Sequence, residues 1–461
     1  MSKFFFYLVL MLVGLKVCAA LFTNFSLYGD EAQYWLWSQN LDLGYFSKPP
    51  LLAWFLSGYI NLFGDSFFSL KMFPLMVYFL IFFAVYKLCL QLYLSKNNSL
   101  ICSFSFLLIP AASVSSFLIS TDLLLLLFWV LALTKLLEIR EDDSVINFFL
   151  LGIFLGLAFL AKYAAVYFVL SYLILIFTDK KTLVSIKDHP LKWAVVALAL
   201  VLIMLPNIYW NNNNGWVTLS HTSDNANLKN LNFNFGEPLR FLFLQIFMVG
   251  PVLFLSFLYM FKYFRLDFEN KFLLVFSLPI IMVVLVEGFL VRANANWAAP
   301  ALVSLFILFF RLIIEKKQSL IIINFATNYI IAVFLFVSIL ISSNNKAFDR
   351  IRGVDSFVKE ILETVGDNDL AISDRIIFSN ISYEIRGRPN SIYMPYKDGE
   401  TITNHFQMSS PLSQTQQESF YLIGNHDDIK YLLKENQLRP IKEFSVPFDS
   451  VKLKFYEVIF K

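Results

Sequence analysis

Residues able to do chemistry gather at a few junctions of this chain. The stretch 28–37, YGDEAQYWLW, sets Asp30 beside Glu31 and follows them with Tyr34, Trp35 and Trp37. The next segment, 43–51, LGYFSKPPL, brings Tyr45 and Lys48. Asp122 opens a leucine-rich run after Ile119, Ser120 and Thr121, and Lys162 with Tyr163 separates two apolar runs. His221 and Asp224 lie in a long polar loop, 210–238, and Arg292 and Asn296 lie in RANANW, 292–297. Lysine or arginine balances an anionic phosphate. A carboxylate takes or orients a hydroxyl proton. Aromatic rings suit sugar faces and the headgroup region of a membrane. Breaking a sugar–phosphate bond uses all three, with a cation at the leaving phosphate and carboxylates near an oxocarbenium-like carbon.

Each residue also has an ordinary reading. Asp30 would cap a short helix, with Gln33 completing a capping box. Lys48 would be an interfacial anchor whose ammonium snorkels to water. Asp122 would be an N-cap, and a lone loop histidine such as His221 is usually just solvated. Two points weigh against the first two readings together. Lys48 opposes the charge trend of its side of the membrane, and it lies one short loop from a carboxylate pair.

These residues must be positioned by apolar elements. Of 461 residues, 58% are hydrophobic and 15% charged, against about 25% charged in soluble domains, which excludes a single soluble globule as well as a disordered chain. A net charge of +3 gives no basis for a nucleic-acid partner. The three cysteines, Cys18, Cys89 and Cys102, lie in apolar runs without metal-ligand spacing. A spanning helix needs about 20 apolar residues. Eleven candidates are predicted, at about 4–22, 69–94, 100–119, 122–138, 146–161, 163–178, 193–210, 239–261, 272–291, 297–314 and 319–342. They are largely free of internal charge. The shorter stretch 50–63 reads as interfacial or re-entrant. The first run serves as an anchor or as a cleaved signal, and both put residue 25 outside. With the N-terminus inside, the inner loops carry Lys96, Arg140, Lys180, Lys181, Lys187, Lys192, Lys262, Arg265, Lys271, Arg311, Lys316 and Lys317, a positive-inside pattern. The outer loops hold mainly Lys48, Lys162, Lys229, Arg240 and Arg292. The expected organisation is a polytopic α-helical membrane domain, 1–342, and a small extracytoplasmic α/β domain, 343–461. The β-like runs of the latter are 369–373, 420–424 and 452–459, and its helical runs are 357–365 and 427–434. No internal repeat is visible, which disfavours inverted-repeat transporters.

At these residues the chain resembles the bacterial GT-C glycosyltransferases related to the aminoarabinose transferase of lipid A and to protein O-mannosyltransferases. The resemblance rests on GDEAQYWLW (29–37), GYFSKPPL (44–51), Thr121 with Asp122, LAKY (160–163), HTSDN (221–225) and RANANWAAP (292–300). The matches run in family order across the membrane region. The resemblance implies a polyprenyl-phosphate sugar as donor, lipid A or another envelope glycan as acceptor, and an active site on the periplasmic face of the inner membrane. It also implies a catalytic role for Asp30, with Asp122 in the same cavity, and a donor-phosphate site at Lys48 and Tyr45; Glu31 is expected as a further catalytic acid that, like Asp122, supports the sugar or the acceptor. Asp30 is the principal carboxylate by this likeness. The aminoarabinose transferases often carry arginine where this chain has Gln33, so part of the phosphate grip is missing or moved, with Arg292 one substitute. His221, Asp224, Lys162, Tyr163 and Asn296 complete the expected substrate-binding set. Inversion at the sugar carbon is expected. No cofactor is obligatory; a divalent cation is compatible with the carboxylates, though no ligand constellation demands one. A protein acceptor is the alternative within the enzyme class. A transporter would put its charges near the bilayer midplane, whereas these mark the rim, and a scaffold would need none of them.

Overall fold

A computed structural model describes residues 2–226, 233–412, 419–424, 428–429, 438–445 and 452–459. The first helices in chain order are α1 (Ser2–Phe22), α2 (Gly29–Gln39), α3 (Leu51–Phe63), α4 (Phe67–Gln91), α5 (Lys96–Leu108), α6 (Pro110–Ser115), α7 (Thr121–Glu141) and α8 (Val145–Ala161). They are followed by α9 (Val166–Thr178), α10 (Lys180–Asp188), α11 (Pro190–Asn213), α12 (Val217–Ala226), α13 (Gly236–Val249) and α14 (Pro251–Met260). The last membrane helices are α15 (Phe268–Val275), α16 (Leu278–Leu290), α17 (Ala299–Lys316) and α18 (Gln318–Leu340). Every one of the eleven predicted apolar segments is helical, some in two pieces. Proline ends α5 and starts α6, because it offers no N–H and fixes φ at a helix start. Gly250 and Pro251 bend α13 and α14 by 95°. Among the described residues six helices are long and apolar enough to cross a membrane, or up to eight if each bent pair is one span. The chain is a multi-pass membrane protein. Its outer helices show apolar side chains such as Phe334 and Ile330 to the surroundings, as lipid-facing helices do.

Two lysines correct the expectation of charge-free spans. Lys16 of α1 and Lys71 of α4 are each 3% exposed. The Lys16 ammonium donates to the Ser113 carbonyl at 3.3 Å and to Ser116 Oγ at 2.6 Å, so it clamps α6 and the turn after it. That turn leads directly to Asp122. At the other end of the helices, Arg140 pairs with Asp179 at 2.6 Å and Lys271 reaches the same carboxylate at 3.5 Å. Three loops assigned to one side from their charge thus meet on one side.

Beyond α18 the chain forms α19 (Val354–Val365), β1 (Leu370–Ile372), α20 (Arg375–Glu384), β2 (Ile392–Tyr393), α21 (Phe406–Ser409), β3 (Phe420–Gly424), β4 (Leu438–Ser445) and β5 (Lys452–Val458). The sheet order is β2-β1-β3-β5-β4, parallel from β2 to β3 and antiparallel from there. Phe357, Val358 and Ile361 of α19 and Ile377, Phe378 and Ile381 of α20 bury their apolar stripes with Leu370 and Ile372. Apart from Asp428 and Ile429, the helical run expected at 427–434 lies outside the described residues. This segment is docked on the membrane bundle through α20 against α2. A side chain at Gly29 would put its Cβ 2.4 Å from Ile376 Cγ2, so only glycine lets the two helices approach this closely.

Candidate active site

The site begins with α2, whose two neighbouring acids take different places. The Tyr28 amide donates to Glu31 Oε2 at 3.0 Å, the helix-start contact expected of a residue three positions on. Glu31 also accepts from the Lys71 ammonium at 2.6 and 2.8 Å and from the Ile119 amide at 3.0 Å. At 1% exposure all its acceptor capacity is spent on holding α2 to α4 and to the turn before α7. Glu31, expected among the catalytic acids, therefore turns its oxygens to protein donors rather than toward Asp30. The capping role expected for Asp30 falls to Glu31 instead. Asp30 is left with its side chain 46% exposed and one long ion pair, 3.4 Å, to Arg375 of α20.

Asp122 is likewise no N-cap. The cap position is Ser120, and the Asp122 carboxylate turns to Lys162 Nζ at 2.7 Å and accepts from Asn296 Nδ2 at 3.2 Å. This brings α7, the α8–α9 junction and the junction before α17 to one point. Between the acids lies Tyr34. Its hydroxyl is pushed upward in pKa by burial and then by the charges of both Asp30 and Asp122.

Lys48 faces the same group. Burial and then the Lys162 charge draw its ammonium down to about 8, against the pull of Asp122 and Asp30, with Arg375 adding to the push. Among the described residues the ammonium has no hydrogen bond or ion pair of its own. Its loop, in contrast, is rigidly held. Trp210 Nε1 donates to Asp42 Oδ2 at 2.6 Å, Asn207 Nδ2 to the Leu43 carbonyl at 2.9 Å, and Thr218 Oγ1 to the Tyr45 carbonyl at 2.8 Å. A Cβ on Gly44 would meet the Trp210 ring at 2.5 Å, so the loop and α11 require glycine there.

Other expected residues serve this frame. Tyr45 is fully buried, stacked on Trp37 at 4.5 Å, and its hydroxyl donates to the Trp37 carbonyl at 3.0 Å. The Tyr45 hydroxyl, expected at a phosphate, is bonded here to the backbone of α2. Tyr163 donates to Asn207 Oδ1 at 2.6 Å and so supports the Lys48 loop at second hand. His221 packs on Phe46 at 5.0 Å, and its pKa is lowered by burial and then by Lys48 and Arg375. Asp224 is exposed nearby and pulls His221 the other way. Arg292 sits over the Trp297 indole at 5.9 Å. Among the described residues no three His, Cys, Asp or Glu side chains gather as a metal would need.

Two residues were missed from sequence. Tyr34 was read only as an interfacial aromatic. Arg375 was not singled out at all, since an arginine in a polar segment carries no signal. It donates through Nη1 to Gln33 Oε1 at 2.7 Å. Further along α2, a cavity of about 250 Å³ opens between Trp37 and the C-terminal segment, lined by Arg386, Arg388, Asn390 and His405.

The described residues thus form a bundle of apolar helices with acids and cations gathered at one rim and a mixed sheet packed beside it. The same fold is found in a solved structure: ArnT from Cupriavidus metallidurans matches over 99% of this chain and 98% of its own. The TM-scores are 0.68 for the apo state and 0.66 for the state bound to undecaprenyl phosphate, both at 12% identity. Closer in sequence is the lipid A galacturonosyltransferase RgtD of Rhizobium johnstonii, 30% identical over 303 residues. That match spans 64% of this chain and 63% of the relative, less than two thirds of its length. The family model described as dolichyl-phosphate-mannose-protein mannosyltransferase matches residues 47–210, the stretch holding Lys48, Asp122, Lys162 and Tyr163. The resemblance read from the motifs is borne out at the level of both fold and sequence.

Proposed function

We propose that this protein is an inverting membrane glycosyltransferase that moves a sugar from a polyprenyl phosphate to lipid A or another envelope acceptor. The observation that carries the reading is the meeting of Asp30, Lys48, Asp122, Lys162 and Asn296 at one rim of the bundle. The donor enters from the outer leaflet, and Lys48 balances its phosphate. The acceptor oxygen attacks the anomeric carbon from the opposite face. The bond to phosphate breaks, and its electron pair leaves with the phosphate oxygen. Asp30 takes the proton of a hydroxyl acceptor, or orients an acceptor that is already ionised. Asp122, oriented by Lys162 and Asn296, supports the sugar.

In this reading the eleven helical segments are eleven spans, the rim with Asp30 is periplasmic, and the inner membrane is the location. The polar C-terminal segment is then an extracytoplasmic domain. The cavity at Trp37 takes the acceptor head group, whose phosphates suit Arg386 and Arg388. It lies two turns from Asp30 along α2, about 10 Å at 1.5 Å per residue. The identity with RgtD makes galacturonic acid the first donor sugar to try. The match to a protein mannosyltransferase family supports a second reading, transfer to a protein hydroxyl.

The test is reconstitution of the purified protein in vesicles with a polyprenyl-phosphate sugar and a panel of lipid A and peptide acceptors, read by mass spectrometry. A product on lipid A, lost in Asp30→Asn and Lys48→Ala, is the expected result. Sugar on peptide alone selects the second reading, and transfer undiminished in either variant overturns the site.

A further inference from the structure

We propose that Arg375, delivered by the C-terminal segment, is the second cation for the donor phosphate, and that docking of α20 on α2 completes the active site. This rests on the reading of the rim as a polyprenyl-phosphate site.

Charge at the rim motivates it. Lys48, Lys162 and Arg375 face Asp30 and Asp122, so three cations meet two carboxylates. Lys162 is committed to Asp122 at 2.7 Å. Lys48 balances the single negative charge of a phosphodiester donor. When the sugar leaves, the phosphate becomes a monoester and gains a further charge, which carries it toward −2 near neutral pH. The second charge needs a second cation within reach.

Arg375 has the geometry for that role. Both its contacts run through Nη1, 2.7 Å to Gln33 and a long 3.4 Å to Asp30. Nε and Nη2 have no partner among the described residues, and the side chain is 47% exposed. A guanidinium held by one edge keeps its other edge for the paired hydrogen bonds a phosphate accepts. Its charge is felt at Lys48, His221 and Tyr34, which places it over the same space. Its position is fixed from both sides. Asp374 accepts from the Ile376 and Ile377 amides at 2.8 and 3.0 Å, starting α20 at this residue. Ile376, next in the chain, packs where a Cβ of Gly29 would otherwise lie. Asp30 and Arg375 thus separate as the reaction proceeds, the acid toward the acceptor proton and the guanidinium toward the leaving phosphate.

The test measures binding of polyprenyl phosphate, without sugar, to the full-length protein in detergent by titration calorimetry, with thermal unfolding as a fold control. Arg375→Ala is expected to weaken binding by about 10- to 100-fold, as loss of a hydrogen bond to a charged group does. The loss should be smaller for a phosphodiester analogue than for the monoester. Adding Gln33→Arg to Arg375→Ala should recover most of the affinity, because the new guanidinium starts from the residue that Arg375 now touches. Unchanged binding in Arg375→Ala, with Lys48→Ala defective, overturns this inference and leaves the donor site standing. Failure of Gln33→Arg to rescue a stably folded Arg375→Ala overturns it too, by making Arg375 a docking contact. Absence of binding in the unmodified protein sinks the donor site itself.

Discussion

Asp30 and Glu31 are adjacent in sequence and opposite in predicted effect. Asp30→Asn removes a half-exposed acid whose only partner among the described residues is a long ion pair, so folding should hardly change. Turnover should fall by about 100- to 10,000-fold, the usual effect of losing a general base, or roughly 3–5 kcal/mol of barrier at 1.36 per tenfold. Glu31→Gln is the reverse case. It leaves the buried Lys71 ammonium without the charge that lies 2.6 Å away. Breaking one side of such a pair costs about 3–5 kcal/mol in stability. Removing both charges, Glu31→Gln with Lys71→Met, should recover much of that, because no buried charge remains and an amide oxygen still accepts from Tyr28 or Ile119. The assay pairs thermal unfolding in detergent with single-turnover transfer at saturating donor. Glu31→Gln should lower the melting temperature and act on turnover mainly through the folded fraction, with the double variant partly restored in both. The reasoning fails if Glu31→Gln abolishes turnover in a protein that melts normally, or if Asp30→Asn turns over at the native rate.

The other predictions concern the cations and their frame. Lys48 must be protonated to hold a phosphate, and its pKa is lowered to about 8; kcat/KM for the donor should therefore hold at neutral pH and fall as pH rises through about 8. Lys48→Arg should keep the charge and abolish that alkaline limb, which a pH–rate profile would read. Tyr163→Phe removes one hydrogen bond behind the Lys48 loop, worth about 0.5–1.5 kcal/mol, so donor KM should rise by roughly tenfold or less with kcat unchanged. Because fixed cations balance the phosphate in the proposed scheme, transfer should survive chelation of divalent ions by EDTA; complete loss, restored by one metal, would replace Arg375 with that metal as the second charge.

How much of this was legible in the sequence follows from the range of the interactions. Asp30, Lys48, Asp122 and Lys162 stood out because an ionisable residue at the end of an apolar run is costly unless it has a task. That cue is local, and it needs no knowledge of which helices pack together. Glu31 carries the same cue, and nothing local separates it from Asp30. What separates them is Lys71, forty positions on inside a run read as apolar, and the amide of Ile119 beyond it. The partner is visible only once α4 and α7 are packed. Tyr45 was assigned by likeness to a motif, but in this chain the stacking of its ring on Trp37 fixes where its hydroxyl points, and the motif is silent on stacking. Arg375 was hidden for a different reason. In a polar segment arginine is common, and its one signal, Asp374 at the start of a helix after a strand, describes where a helix begins rather than what it faces. By likeness to the aminoarabinose transferases an arginine is expected where this chain has Gln33, with Arg292 one substitute. The guanidinium that touches Gln33 comes instead from the C-terminal segment, 342 residues away, where Ile376 packs close on Gly29. A site split between a bundle and the segment that packs on it draws its charged groups from both, so a cation absent from one motif has to be sought across that contact.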